Sequence, residues 1–348
     1  MGRNERLQLI KEIEQQRQSH LLVTIWGDRP GQLGNPGLET VIAPDSHPIV
    51  FEHLERWGKV NKIDVLLYSA GGHTLAAWGL ANLLREYCNE VGIMIPHRAL
   101  SAATLLTISA NEIIMSRLGH LSPIDPSITS PLGPTIQAQP GQVRVVPISV
   151  EDVAGFFALA TNSADIKEKE PLLSIFDRLA SQVHPLALGA VYRSREQIQT
   201  LADRLLSLHM KGDGKKKERE RIVSMLTREL GSHDYLVGRT EAKERMGLNV
   251  IDVSDDLNHK ILALFNEYQN LLSLRQPYNP EGFLGTQNTA TGDFNRAVIE
   301  SVDLTHVFRT SKTVQRVQVQ QQGLPVPIPV TGYQEMVSFE GWVNDQTI

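Results

Sequence analysis

Three observations predict an α/β protein of repeated βαβ units, followed by a helical arm and a β-rich C-terminal tail. Short apolar runs alternate with helical periodicities between residues 20 and 116. IDVLLYS (63–69) reads as a strand of the kind buried on both faces of a parallel sheet. Strand signals stop near residue 150, helical ones run to about 230, and past 275 Gly, Gln, Thr, Val and Pro dominate.

In chain order, MGRNERLQLIKEIEQQRQSH is a polar amphipathic helix and HLLVTIW (20–26) a strand. GDRPGQLGNPGLET is a Gly/Pro loop leading to the short run VIAP, and SHPIVFEHLERWGK is a helix opening on a Ser cap. IDVLLYS is followed by a Gly-Gly turn and the amphipathic helix HTLAAWGLANLLREYCNE. VGIMIP (91–96) is the next strand, SAATLLTISAN a helix of small residues, and EIIMS (112–116) a fourth strand. Such alternation with short connections implies βαβ units. EDVAGFFALA, LLSIFDRLASQV and SREQIQTLADRLLSLHMK form the arm, closed by the charged stretch GDGKKKERER, which reads as a solvated face. YLVGRTEAKERMGLNVIDV (235–253) returns to the core as a turn, a helix and a short strand. TVQRVQVQQQ alternates like a hairpin limb, and prolines 325, 327 and 329 keep the second limb at an edge or in a polyproline conformation. The resulting division is an N-terminal helix (1–20), a core carrying the candidate site (21–150), the helical arm (151–230), a return to the core (231–275) and the β-rich tail (276–348).

Composition narrows the function. The chain has 348 residues with one cysteine, Cys88, so it needs no disulfides and fits a reducing compartment. The N-terminus has no apolar signal core, and Asn111 and Glu112 interrupt the longest apolar run short of the ~18 residues a membrane span needs. A cytosolic protein without a membrane span is expected. The net charge of −5 argues against electrostatic nucleic-acid binding. The eleven histidines form no HExxH pair and GDGKKKERE lacks Walker spacing, so chemistry without metal or cofactor is expected.

The chemistry-bearing pattern is a strand running into Gly71-Gly72 and, some thirty residues later, a strand ending at Ser101 on the first turn of a helix. Glycines lack a Cβ, so their N–H groups can approach a substrate carbonyl, and a serine at a helix start meets further N–H groups and the helix dipole. The competing reading of Ser101 is a small residue that lets the helix pack tightly on the sheet.

YSAGG, RALSAATLLTISANEIIM, LSPIDPSI, HPLALGAVYRS and SHDYLVGRTEAKERMGL together resemble the serine dehydrogenase proteinase family, a branch of the Clp-type serine proteases and signal peptide peptidase A-like enzymes within the crotonase-like fold. The likeness spans roughly residues 20–255, with a weaker echo at RAVIES and the terminal GW. It implies a Clp protease/crotonase-like core and a serine endopeptidase acting on peptide or protein substrates through an acyl-enzyme at Ser101. It also implies an oxyanion hole from the N–H groups of Gly71 or Gly72 and of Ala102, and a homo-oligomer. Ala70 stands where Clp-type proteases have Pro.

The general base departs from the family pattern. The Clp-type histidine position falls near PIDP, with Asp125, while His120 comes a few residues early; no Lys of the peptidase A type occurs between Ser101 and Lys167. His120 is the expected base, with Lys167, Lys169 and His233 as alternatives and a water-bridged Asp125 or a partner subunit behind them. Asp234 precedes Glu241, Ala242, Gly247 and Leu248 in the Clp-type order and is the expected third member, orienting the base. Equally, Ser232 or Asp234 turns the chain into the following helix. Two other functions stay open: a non-catalytic oligomeric binding module, and a crotonase-type acyl-CoA enzyme.

Overall fold

The computed structural model describes residues 2–32, 36–124, 127–128, 130–139, 142–321 and 328–348. The predicted alternation is present. Helix α1 (Arg3–Arg17) leads into β1 (His20–Trp26), then α2 (Ser46–Trp57), β2 (Val60–Tyr68), α3 (Thr74–Tyr87) and β3 (Cys88–Ile95). A short strand β4 (Arg98–Ala99) ends at the nucleophile candidate, followed by α4 (Ala102–Thr107), β5 (Glu112–Met115) and the short β6 (His120–Leu121). The arm contains α5 (Val150–Ala158), α6 (Lys169–Gln182), α7 (Pro185–Ser207) and α8 (Lys216–Ser224). β7 (Val237–Gly238) and α9 (Asp255–Leu271) return to the core, and β8 (Thr289–Glu300), β9 (Thr305–Gln321) and β10 (Ile328–Asn344) form the tail.

A seven-stranded sheet in the order β10-β9-β8-β1-β2-β3-β5 unites these parts. Neighbours from β1 to β5 are parallel, and β8, β9 and β10 add antiparallel. The alternation of strand side chains sends Leu22, Trp26, Ile63, Val65 and Leu67 to one face, against α2, α3, α4 and α7. Leu21, Val23, Ile25, Leu66 and Tyr68 face the other layer, made by α1 and α9. The consequence is helices on both faces of the parallel part of a mixed sheet.

Several local details differ from the sequence reading. Ser46 does not cap α2: its hydroxyl donates to Ala43 O at 2.6 Å, and Asp45 ahead of it accepts from the Trp342 indole N–H at 3.0 Å. The arm's third helix starts at Pro185, so HPLALGAVYRS is helical too. The tail is no detached hairpin, because β8 pairs with β1 in the register Val23 to Glu300. Of the tail prolines, 325 and 327 lie outside the described residues, while Pro329 sits in the edge strand β10 opposite Gln320. The basic run leads into α8: Lys215, just ahead of it, pairs with Glu218, and Arg219 within it pairs with Asp203. Among the described residues no helix is long and apolar enough to cross a membrane.

Candidate active site

Three strand ends and one loop assemble the site. After β2, Ser69 bridges in parallel to Ala99 of β4: its N–H donates to Arg98 O at 3.1 Å, and Leu100 N–H returns to Ser69 O at 3.0 Å. Gly71 and Gly72 follow at φ +120° and +147°, a backbone conformation that favours glycine. Each glycine also answers a steric demand. A Cβ on Gly71 would lie 2.9 Å from Ser101 Cβ, and one on Gly72 would lie 2.3 Å from Ile42 O. Ile42, from the VIAP run, holds the loop by donating to Gly71 O at 2.9 Å and accepting from His73 N–H at 2.8 Å.

Ser101 follows β4 at φ +51° and ψ −115°, a strained turn for a residue with a Cβ. Helix α4 after it has six residues rather than the eleven of SAATLLTISAN, so individual N–H groups matter more here than a long-helix dipole. Four backbone amides surround this point, and their partners differ. Gly71 N–H donates to Ser69 Oγ at 2.9 Å, and Ser101 N–H donates to Ser122 Oγ at 2.8 Å. Gly72 N–H and Ala102 N–H have no acceptor among the described residues. Ala102 is fully buried, and a buried amide without a partner is unusual outside functional sites. The Ser101 hydroxyl likewise has no partner among the described residues.

The structure thus brings together Ser101, Gly71, Gly72 and Ala102. His120 lies on β6, paired with Arg98 of β4 on one side and Gly238 of β7 on the other, and its N–H donates to His97 O at 2.7 Å. The His97 ring packs beside Tyr68 and Phe265, and burial, then the neighbouring His120 charge, lower its pKa. Arg98 lies over the Tyr68 ring and pairs with Asp28, which also accepts from the Tyr68 hydroxyl.

Among the described residues no hydrogen bond or ion pair joins the remaining candidates to Ser101 or His120. The Asp234 side chain is 99% exposed, with His233 Nδ1 at 3.6 Å, and its N–H donates to Ser232 Oγ in a turn. Lys167 pairs with Asp165 on an exposed segment, and Lys169 opens α6, a helix with no buried residue. Asp125 lies outside the described residues. Sequence reasoning passed over Ser69, Ser122 and Ile42. Each works through a contact with a residue whose own role is local, so only the YSAGG and LSPIDP strings hinted at them.

Residues 2–143 match a family model described as ClpP-like SDH-type serine proteinase. Two uncharacterized proteins of Methanocaldococcus jannaschii, MJ0137 and MJ1495, are 27% and 25% identical to the chain over 265 residues. Both alignments cover 76% of this chain, and they span 78% and 76% of the respective relatives.

Proposed function

We propose that the protein is a serine peptidase working through an acyl-enzyme at Ser101, a reading supported by the match of residues 2–143 to a ClpP-like SDH-type serine proteinase model. The observation that carries this reading is the pattern of amide use around Ser101. Two of the four amides are occupied by buried serine hydroxyls, and the two left without an acceptor among the described residues are those of Gly72 and Ala102.

In the proposed reaction Ser101 Oγ attacks the scissile carbonyl carbon while its proton passes to a base. The carbonyl oxygen becomes an oxyanion that accepts from Gly72 N–H and Ala102 N–H, each such donor contributing about 3–4 kcal/mol to the transition state. The C–N bond then breaks and the amine leaves with the proton. A water molecule, deprotonated in turn, hydrolyses the ester and frees Ser101. Preformed donors need no reorganisation as charge develops.

His120 is the favoured base, because its strand pairs with β4, the strand that ends at the nucleophile. In the single chain the Asp234 carboxylate is 99% exposed with His233 Nδ1 at 3.6 Å, which favours an orienting group other than Asp234. A carboxylate from the PIDP segment or a group from a second subunit is the alternative orienting or accepting partner.

A fluorophosphonate probe tests the reading. Covalent labelling that maps to Ser101 and disappears in Ser101→Ala is expected. A folded wild-type protein that resists labelling and turns over no ester or peptide substrate would favour the non-catalytic binding module instead.

A further inference from the structure

We propose that Ser122 is the positioning residue of the nucleophile: its buried hydroxyl holds the Ser101 peptide in the positive-φ turn and takes the Ser101 amide out of the set of oxyanion donors. The proposal rests on the serine-peptidase reading above, and it concerns a residue that touches Ser101 rather than substrate.

The hydrogen bonds around Ser122 can run in only one direction. The Ser122 hydroxyl donates to Pro123 O at 3.0 Å, so its oxygen faces Ser101 N–H as an acceptor, at 2.8 Å. Ser122 N–H donates to Thr104 Oγ1 at 3.1 Å, and the Thr104 hydroxyl donates to Ala99 O at 2.8 Å. Ser122 is 1% exposed and Thr104 0%, so water does not replace either partner. Ala99 ends β4, Ser101 forms the turn, Thr104 lies in the first turns of α4, and Ser122 follows β6. One small network therefore ties β4, the Ser101 turn, α4 and the segment after β6 together.

That tie answers the strain at Ser101. A non-glycine residue at φ +51° persists only when its surroundings over-determine the conformation. The bond from Ser101 N–H to Ser122 is the side-chain constraint applied directly to that peptide. The same bond has a chemical effect. With Gly71 N–H held by Ser69 and Ser101 N–H held by Ser122, the open donors are one from each side of the site, Gly72 and Ala102.

Labelling kinetics on Ser122→Ala, Ser122→Thr and Thr104→Val provide the test, with kcat, KM and melting temperature followed on the same proteins. Ser122→Ala should slow fluorophosphonate labelling of Ser101 and lower kcat by roughly ten- to a hundredfold while KM stays constant, since a small misplacement of a reacting group costs on that order. Ser122→Thr restores the hydroxyl and should recover most of the rate. Thr104→Val removes the partner of the Ser122 amide but leaves the bond to Ser101, so it should lower the melting temperature with labelling near the wild-type rate. If Ser122→Ala does not fold, Ser122→Cys, with a weaker acceptor of similar shape, should show the same slowing at constant KM. Wild-type labelling rates in Ser122→Ala or Ser122→Cys would overturn the proposal, as would equal slowing in Thr104→Val. Absence of labelling in the wild-type protein would instead remove the peptidase reading itself, and Ser122's role with it.

Discussion

The turn at Ser101 carries about 1–3 kcal/mol of backbone strain, and the buried hydrogen bond that its N–H donates to Ser122 Oγ keeps it in place. Strain kept at such expense marks a residue whose direction matters. Ser101→Ala deletes one oxygen and adds no bulk, so it should retain the circular dichroism and melting temperature of the wild type while losing activity by roughly a thousandfold or more. A folded Ser101→Ala protein with normal turnover would remove Ser101 from the chemistry. The two glycines should fail for different reasons. Gly71→Ala drives a Cβ against Ser101 Cβ, so turnover should fall more than stability, whereas Gly72→Ala meets the Ile42 backbone and should lower the melting temperature as well as turnover. Equal stability in the two variants would contradict that division.

Two buried polar connections hold the elements together, and the histidine one gives pH-dependent stability. His53 on α2 shares its Nδ1 with Ser301 Oγ at 2.8 Å and its Nε2 with His306 Nδ1 at 3.1 Å, and His306 reaches Glu52 at 3.2 Å, so the chain joins α2 to the β8–β9 turn and to β9. Burial first, then the charges of His306 and Arg56, push the His53 pKa down to about 3. A histidine held neutral binds its proton more readily in the unfolded chain. Its contribution is complete above the unfolded value near 6.5 and is lost as pH falls toward 3, with a slope of at most about 1.4 kcal/mol per pH unit for one group. Urea unfolding at pH 7.5 and pH 5, each compared with His53→Gln, should show the wild type losing more stability on acidification than the variant; parallel losses would exclude His53 as a source. On the opposite helical layer, Arg6 of α1 pairs with Glu300 of β8 at 2.9 Å, and Glu300, fully buried, also accepts from Tyr268 and Thr305. Arg6→Ala leaves that carboxylate unpaired and should destabilise the fold by about 3–5 kcal/mol. Chemical denaturation measures it directly.

Viewed as a whole, the molecule has a sheet whose parallel part is covered by helices on both faces, and an arm that leaves apolar side chains exposed. α6 has no buried residue, and Leu159, Leu173, Phe176, Leu186 and Tyr192 of the arm are 47–67% exposed. We propose that these exposed apolar side chains of the arm are covered by a second copy of this chain, since contiguous exposed apolar patches are characteristic of interaction surfaces. Sedimentation should therefore find a homo-oligomer at micromolar concentration, and Leu173→Glu with Phe176→Glu should shift it toward monomer; a wild-type monomer would sink the expectation.

What was legible from sequence at this scale was what neighbouring residues decide among themselves. Strand and helix periodicity, the Gly-Gly turn after β2, the serine at a strand end and the β-rich tail all follow from patterns within a dozen residues of one another. The joining of that tail to β1, the helix α9, and the choice of which amides stay open do not. Ile42 meets Gly72, Ser122 meets Ser101 and Glu300 meets Val23 across long stretches of chain. The Asp234 carboxylate, which the motif order joined to His120, lies out in solvent beside His233. Sequence alone determined the α/β class and where acyl chemistry could reside, because local sterics and hydrophobic spacing are written residue by residue. Only the tertiary structure decided which N–H groups are occupied and which remain, because a hydrogen bond is a relation between two positions and its partner is known only once the chain has folded.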